Sequence, residues 1–121
     1  DAVTQVLSFL ELSALDLQAL GVEKTRIVLD PGIGFGKTVA QNFALLARQS
    51  QLLAAGYPVL AGWSRKSSLG TVTGLPVDER MVPSVVAAVL AVERGASIVR
   101  VHDVRETVAA LAVWSAMQRS G

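Results

Sequence analysis

The chain has no cysteine, which excludes a disulfide framework, a thiolate metal centre and a thiol nucleophile, and accords with a reducing compartment. A cytoplasmic location is therefore expected. Aromatic residues make up only 5% of its 121 residues, so a core must be built from Ala, Val and Leu, as in helices packed on a parallel sheet. An excess of one charge is also missing: eleven basic against ten acidic side chains leave a formal net charge of +1. That field is too weak to imply a nucleic-acid or membrane-surface partner, and any anion recognition has to be local. The most apolar stretch, Met81 to Val92, contains Pro83 and Ser84 and falls well short of the roughly 20 residues that cross a bilayer. No basic, apolar, then small-residue leader is visible either, so no secretion signal is expected.

What is present is apolar. With 51% hydrophobic and 17% charged residues, the chain reads as one packed globular domain of the α/β class. Apolar residues recur every three or four positions from Val3 to Leu20, a helix stopped by Gly21. The run Ile27, Val28, Leu29, within Arg26 to Asp30, is a short strand closed by Pro31 and Gly32. Asn42 to Ala55 is helical by spacing and leads through Gly56 to a second strand, Pro58 to Ala61. Glu79 to Glu93 is a third helix that tolerates Pro83 only in its first turn. A strand at Ser97 to Val101 and a helix from Val104 to about Gln118 complete the series. Strands alternating with helices at this spacing predict parallel βαβ units. Residue pattern alone leaves a doubly wound sheet and a (β/α)8 barrel both open. Either one places ligands at the C-terminal ends of its strands.

Polar clusters fall at those ends. The loop from Asp30 to Thr38, DPGIGFGKT, is not a nucleotide loop: Pro31 stands where a Walker pattern needs glycine, and Lys37 stands where a dinucleotide fingerprint needs its third glycine. Gly32 and Gly34 suit a turn needing positive φ. Asp30, ending an apolar strand, offers an acceptor for an amine or a ring N–H. In GWSRKSS, Gly62 to Ser68, the hydroxyls and backbone N–H groups are placed to cradle an anion, with Lys66 as a compact rotatable charge. Arg100 and His102, two residues apart on an extended segment, project to one side and are expected to share an anion. Asp103 is expected to face away and cap the last helix.

Taken in order and spacing, DPGIGFGK, GWSRKS and RVHDV resemble the three signature segments in the C-terminal half of the dihydropteroate synthase family of pterin-binding barrels. The resemblance covers Ile27 to Gln118, with the first helix fitting the preceding barrel helix. It implies the C-terminal part of a (β/α)8 TIM barrel, helix 5 followed by strand/helix units 6, 7 and 8, as one partial domain over residues 1–121. It implies condensation of 4-aminobenzoate with 6-hydroxymethyl-7,8-dihydropterin diphosphate, with release of diphosphate, in folate biosynthesis. By resemblance Asp30, Lys66 and Arg100 bind the pterin, and Arg100 and His102 the diphosphate. Phe35, Ser64 and Lys66 bind the aminobenzoate, and Gly32, Gly34 and Gly62 shape the loop backbones. No covalent nucleophile is needed. Mg²⁺ is the implied cofactor, its ligand expected outside these residues, in an N-terminal half.

Three strands cannot close a barrel of eight, so the expectation is a fragment without activity by itself. The Met81 to Val92 helix is apolar on nearly every face. With family dimers forming through this half, a homodimer through that helix and the one carrying Trp114 is expected. Trp63 departs from the family pattern and is expected to pack without altering activity. Two other readings are a pterin-barrel methyltetrahydrofolate methyltransferase, disfavoured by the basic residues Arg65, Lys66 and Arg100, and a non-catalytic binding or dimerisation module.

Overall fold

Helical spacing at the start of the chain forms α1 (Ala2–Ala19), which turns Val3, Leu10 and Ala14 inward. A computed structural model describes all residues from Asp1 to Gly121. Helix α2 (Val39–Ala47) begins three residues earlier than spacing alone predicts, because Thr38 and Gln41 form a capping box. Thr38 Oγ1 accepts the Gln41 N–H at 3.1 Å and Gln41 Oε1 accepts the Thr38 N–H at 2.9 Å, satisfying two free donors reciprocally. The predicted helix to Ala55 is not continuous. After α2 the chain tightens into a 3₁₀ segment, Gln49–Ala55, whose three-residue turn sets Gln49 and Leu52 on one side. Both are buried. The buried Gln49 amide donates to the Ala91 carbonyl at 2.8 Å.

The three predicted strands are present as much shorter pairings. Leu29 bridges Val59 in parallel, and β1 (Leu60–Ala61) pairs in parallel with β2 (Ile98–Val99) in the register Leu60 to Ile98 and Ala61 to Val99. Leu29 donates to the Pro58 carbonyl at 2.9 Å and accepts from Leu60 at 2.8 Å, while Arg100 donates to Ala61 at 3.0 Å. The spatial order is therefore first, second, third, with the middle segment alone paired on both sides. Pairing is brief at both ends: Lys24–Arg26 is a 3₁₀ turn, and Pro58 has no N–H to donate.

One helix was not foreseen. The segment after the second strand folds as α3 (Ser67–Thr73), ended by Gly74 in the left-handed region, so Ser67 and Ser68 of the GWSRKSS run belong to a helix. Helix α4 (Met81–Glu93) carries Pro83 in its first turn, as expected. Its small residues Ser84, Ala87, Ala88 and Ala91 face inward, allowing close helix-to-sheet approach. Its outer face is apolar, with Met81, Val82, Val86 and Leu90 exposed. Helix α5 (Val104–Ser120) packs on α4, and the Trp114 indole N–H reaches Glu93 at 2.7 Å.

The core lies between sheet and helices. Val3, Ile33, Leu45, Leu46, Trp63 and Leu69 belong to one buried cluster, and Leu10, Ala14, Ile27, Leu29 and Tyr57 to a second under α1. Trp63 packs as expected, its ring 5.0 Å from that of Phe43. No helix is long and apolar enough to cross a membrane.

Candidate active site

Alternation along the first strand turns Ile27 and Leu29 into the core, and the chain then reverses at Pro31. One Asp30 oxygen accepts the Gly32 N–H at 2.9 Å, pinning the turn. The loop that follows uses Gly32, Gly34 and Gly36 at φ of +71°, +85° and +65°, a left-handed conformation that only glycine adopts without strain. Lys37 is consumed in holding it: its ammonium donates to the Gly32 carbonyl at 2.8 Å and the Phe35 carbonyl at 3.1 Å. A lysine so engaged is not a free phosphate ligand, in keeping with the failed nucleotide-loop patterns.

The other Asp30 oxygen meets Arg100 from the third strand. Arg100 Nη1 lies 3.3 Å from Asp30 Oδ2, with both side chains substantially exposed. Such a pair contributes roughly 0–1 kcal/mol and yields readily to a ligand that offers more. To reach Asp30 the guanidinium crosses the second strand end at Gly62, where a Cβ would overlap it. The first, second and third strand ends are thus joined by Arg100.

Lys66 completes the cluster from the second loop. Its stem lies against Gly34, its ammonium donates to the Ile33 carbonyl, and Nζ sits 5.1 Å from the centroid of the Phe35 ring. Partial burial holds its pKa below the ordinary lysine value; Arg100, and to a lesser degree Lys37, lower it further, and Asp30 opposes them. Phe35, itself exposed, and Lys66 therefore form one aromatic-and-cationic edge.

His102 is placed differently from the expectation. Arg100 and His102 do not converge on one point: Arg100 turns to Asp30, while His102 Nδ1 lies 2.7 Å from Ser64 Oγ, which also accepts the His102 backbone N–H at 3.2 Å. Ser64 thus holds His102 through both its ring and its backbone, with Nε2 as the ring nitrogen left for another partner.

Two further expectations are corrected. Asp103 stands at the N-cap of α5, yet its carboxylate caps nothing. Arg65 takes one of its oxygens at 3.3 Å, because the two side chains meet where the second loop passes the start of α5. Arg65 is thereby drawn away from the anion role that its place in the basic run suggested. The cradle of N–H groups is also partly spent, since the Arg65 N–H donates to Ser84 Oγ and the Lys66 N–H to the Trp63 carbonyl.

Sequence reasoning missed the residues beneath the site. Asn42, buried in the first turns of α2, accepts the Gly34 N–H at 3.1 Å and donates to Ser68 Oγ at 3.0 Å. One amide therefore ties the glycine loop to α3. Only its place just after a capping box hinted at such a role. Arg80 and Ser84, in the first turn of α4 and its cap, hold the backbone of Arg65, and nothing in their spacing announced it.

A cavity of about 370 Å³ opens between α1 and the glycine loop, with Asp30, Gly32 and Phe35 in its wall. A second, apolar groove runs between α2, α3 and α4 and contains none of the predicted site residues. No cluster of three or more His, Asp or Glu exists that is able to hold a metal ion. Asp30, tied to Arg100 and close to Lys66, is not a magnesium donor set, so the residues present do not fit the implied ion.

Residues 1–102 match the family model described as pterin binding enzyme. The chain is 44% identical over 116 residues to the dihydropteroate synthase of Haemophilus influenzae, covering 96% of this chain and 42% of that protein. Among solved structures, the dihydropteroate synthase of Xanthomonas albilineans in complex with 7,8-dihydropteroate superimposes with a TM-score of 0.96 at 47% identity, covering 98% of this chain and 45% of that one. The same enzyme with 4-aminobenzoic acid gives a TM-score of 0.96, covering 98% and 44%. The chain thus spans less than half the length of the relatives it matches.

Proposed function

The chain belongs to the pterin-binding enzyme family and its fold is the C-terminal part of a (β/α)8 barrel, and from this we propose that it supplies one side of a dihydropteroate synthase active site. The carrying observation is the convergence of Asp30, Lys66 and Arg100 from three adjacent strand ends, with Arg100 bridging to Asp30 across Gly62. Two structures of one relative, with 7,8-dihydropteroate and with 4-aminobenzoic acid, support the same substrates here.

In this reading the Asp30 carboxylate accepts hydrogen bonds from the amino-pyrimidine edge of the pterin, displacing the weak contact to Arg100. Lys66 donates to the carbonyl and ring-nitrogen side. The partial burial that lowers its pKa has already stripped part of the water from that ammonium, so a flat ligand covering it has less to displace. Arg100, freed from Asp30, lies over the pterin face and, with the His102 ring, faces the diphosphate. Phe35 walls the aminobenzoate ring, and Ser64 and Lys66 lie toward its carboxylate. The aromatic amine nitrogen bonds to the pterin methylene carbon, the C–O bond to diphosphate breaks, and the amine gives up a proton. Charge grows on the departing oxygens, and in this reading Arg100, once released from Asp30, and the His102 ring stabilise it from separate sides. The Mg²⁺ of this reaction would have to be held by residues outside the 121, and no covalent nucleophile is required.

Three strand elements leave the mouth open, so the chain by itself binds ligand without turnover. Calorimetry with pterin diphosphate, together with an assay for dihydropteroate, tests this. Binding abolished by Asp30→Asn is expected; turnover by a chain of verified intact mass, or no binding at all, would overturn the corresponding half of the reading. The chain also self-associates, as a homodimer through the exposed apolar face of α4 and the adjoining α5. A monomeric mass by light scattering at high concentration would count against it. Cytoplasmic location accords with the absence of cysteine.

A further inference from the structure

Arg65 has φ of +59°, the one left-handed residue in the chain that is not glycine. A long side chain in this region is strained and persists only where its surroundings over-determine it. Both of its backbone groups are held by side chains from the start of α4. Ser84 Oγ, buried, accepts the Arg65 N–H at 2.8 Å and donates to the Arg80 carbonyl. Arg80 Nη1 donates to the Arg65 carbonyl at 3.0 Å, and its Nε to the Leu75 carbonyl at 3.0 Å. The Arg80 guanidinium reaches this position only because Gly70 has no side chain, since a Cβ there would overlap it.

The residues on either side of Arg65 are Ser64 and Lys66, and they diverge. Ser64 turns to His102 at the third strand end, and Lys66 to Ile33 in the glycine loop. A left-handed residue reverses the local course of the chain, so neighbours that extended backbone would carry along one line serve two separate neighbours instead.

We propose that Arg80 and Ser84 are positioning residues: by locking Arg65 in its left-handed conformation they set Ser64 and Lys66 on opposite sides of the mouth. The functional meaning rests on the dihydropteroate synthase reading of Lys66 and Ser64, but the device itself is testable without any ligand. The Lys66 ammonium is faced by Arg100, Asp30 and Lys37, so its titration reports whether it still lies in the mouth. Arg65 is not among the groups that shift it.

The chain has three lysines, Lys24, Lys37 and Lys66, so carbon-13 labelling at lysine Cε resolves each titration, with Lys66→Arg giving the assignment. In the parent 121-residue chain Lys66 is expected to titrate below the ordinary lysine range. Ser84→Ala is expected to move that midpoint up by at least half of its displacement. Adding Arg65→Gly is expected to bring it back, because glycine adopts the left-handed conformation without the clamp. A folded Ser84→Ala chain with an unchanged midpoint, or a double variant that stays at the raised value, would overturn the proposal. Should circular dichroism show Ser84→Ala unfolded, Arg65→Ala against Arg65→Gly decides. A raised midpoint in the alanine variant alone supports the clamp, and equal midpoints overturn it.

Discussion

The guanidinium of Arg100 occupies the space that a side chain on Gly62 would fill, so the ion pair between the third and first strand ends depends on a missing methyl group on the second. Gly62 does not lie in the left-handed region, so alanine is acceptable to the backbone there. Gly62→Ala is therefore expected to weaken pterin diphosphate binding about tenfold, roughly 1.4 kcal/mol, while changing the denaturation midpoint little. Calorimetry and urea unfolding on the same sample check both halves. Unchanged affinity would show that Arg100 does not act from this position.

Asn42 carries the link between the two loops. Asn42→Ala leaves the buried Ser68 hydroxyl without its partner, which costs about 1–3 kcal/mol for an unsatisfied group, and releases the Gly34 N–H in the exposed loop to solvent. The expected signature is faster amide hydrogen exchange at Gly34 than at residues of α5. Equal protection in variant and parent would rule out the strut.

Gln49 makes a comparable contact with no part in the site. Gln49→Ala removes the donor to the Ala91 carbonyl and opens a buried volume, so a loss of about 2–4 kcal/mol is expected in urea unfolding. Ligand affinity, extrapolated to fully folded protein, should not change. A loss of affinity beyond the unfolded fraction would contradict the separation of core from mouth.

Stability should also respond to pH through Lys66. Its pKa in the folded chain lies below its ordinary value of 10.5, so between those two values the unfolded state binds more protons and stability rises with pH. Below the folded value the charged ammonium opposes folding in full. Lys66→Met is thus expected to be at least as stable as the parent at neutral pH, with its advantage vanishing above pH 10.5. Chemical denaturation at several pH values measures this, and a gap that widens as pH rises would contradict the sign.

The order of helices and strands was legible because its signals are local. Apolar spacing located α1, α4 and α5 to within about two residues, and Gly21 and Gly56 marked stops. Strand length was not legible, since Ile27 and Ser97 carry strand-like neighbours but pairing depends on register with a distant partner. Helix α3 was hidden because its seven residues, SSLGTVT, are poor helix formers, and the buried Ser68 and Leu69 on it act only once α2 is in place. Asp30, Lys66 and Arg100 were found because polarity at the end of an apolar strand is unusual. The Ser64–His102 contact and the clamp on Arg65 join residues 38 and 19 positions apart, and no spacing rule reaches across that distance.

The sheet pairs Leu29 to Val59 on one side and β1 to β2 on the other, so its outer segments each have a vacant margin. Backbone groups there exchange with solvent where those of Leu60 are shielded on two flanks, and a further strand of matching register would find donors and acceptors already aligned. Asp30 and Arg100 hang from those two margins. Adding strands outside them would do more than enclose the cleft: it would hold the backbone beside both charges from a second side, and so set the spacing between Asp30 and Arg100 as a gauge for the width of a flat heterocycle.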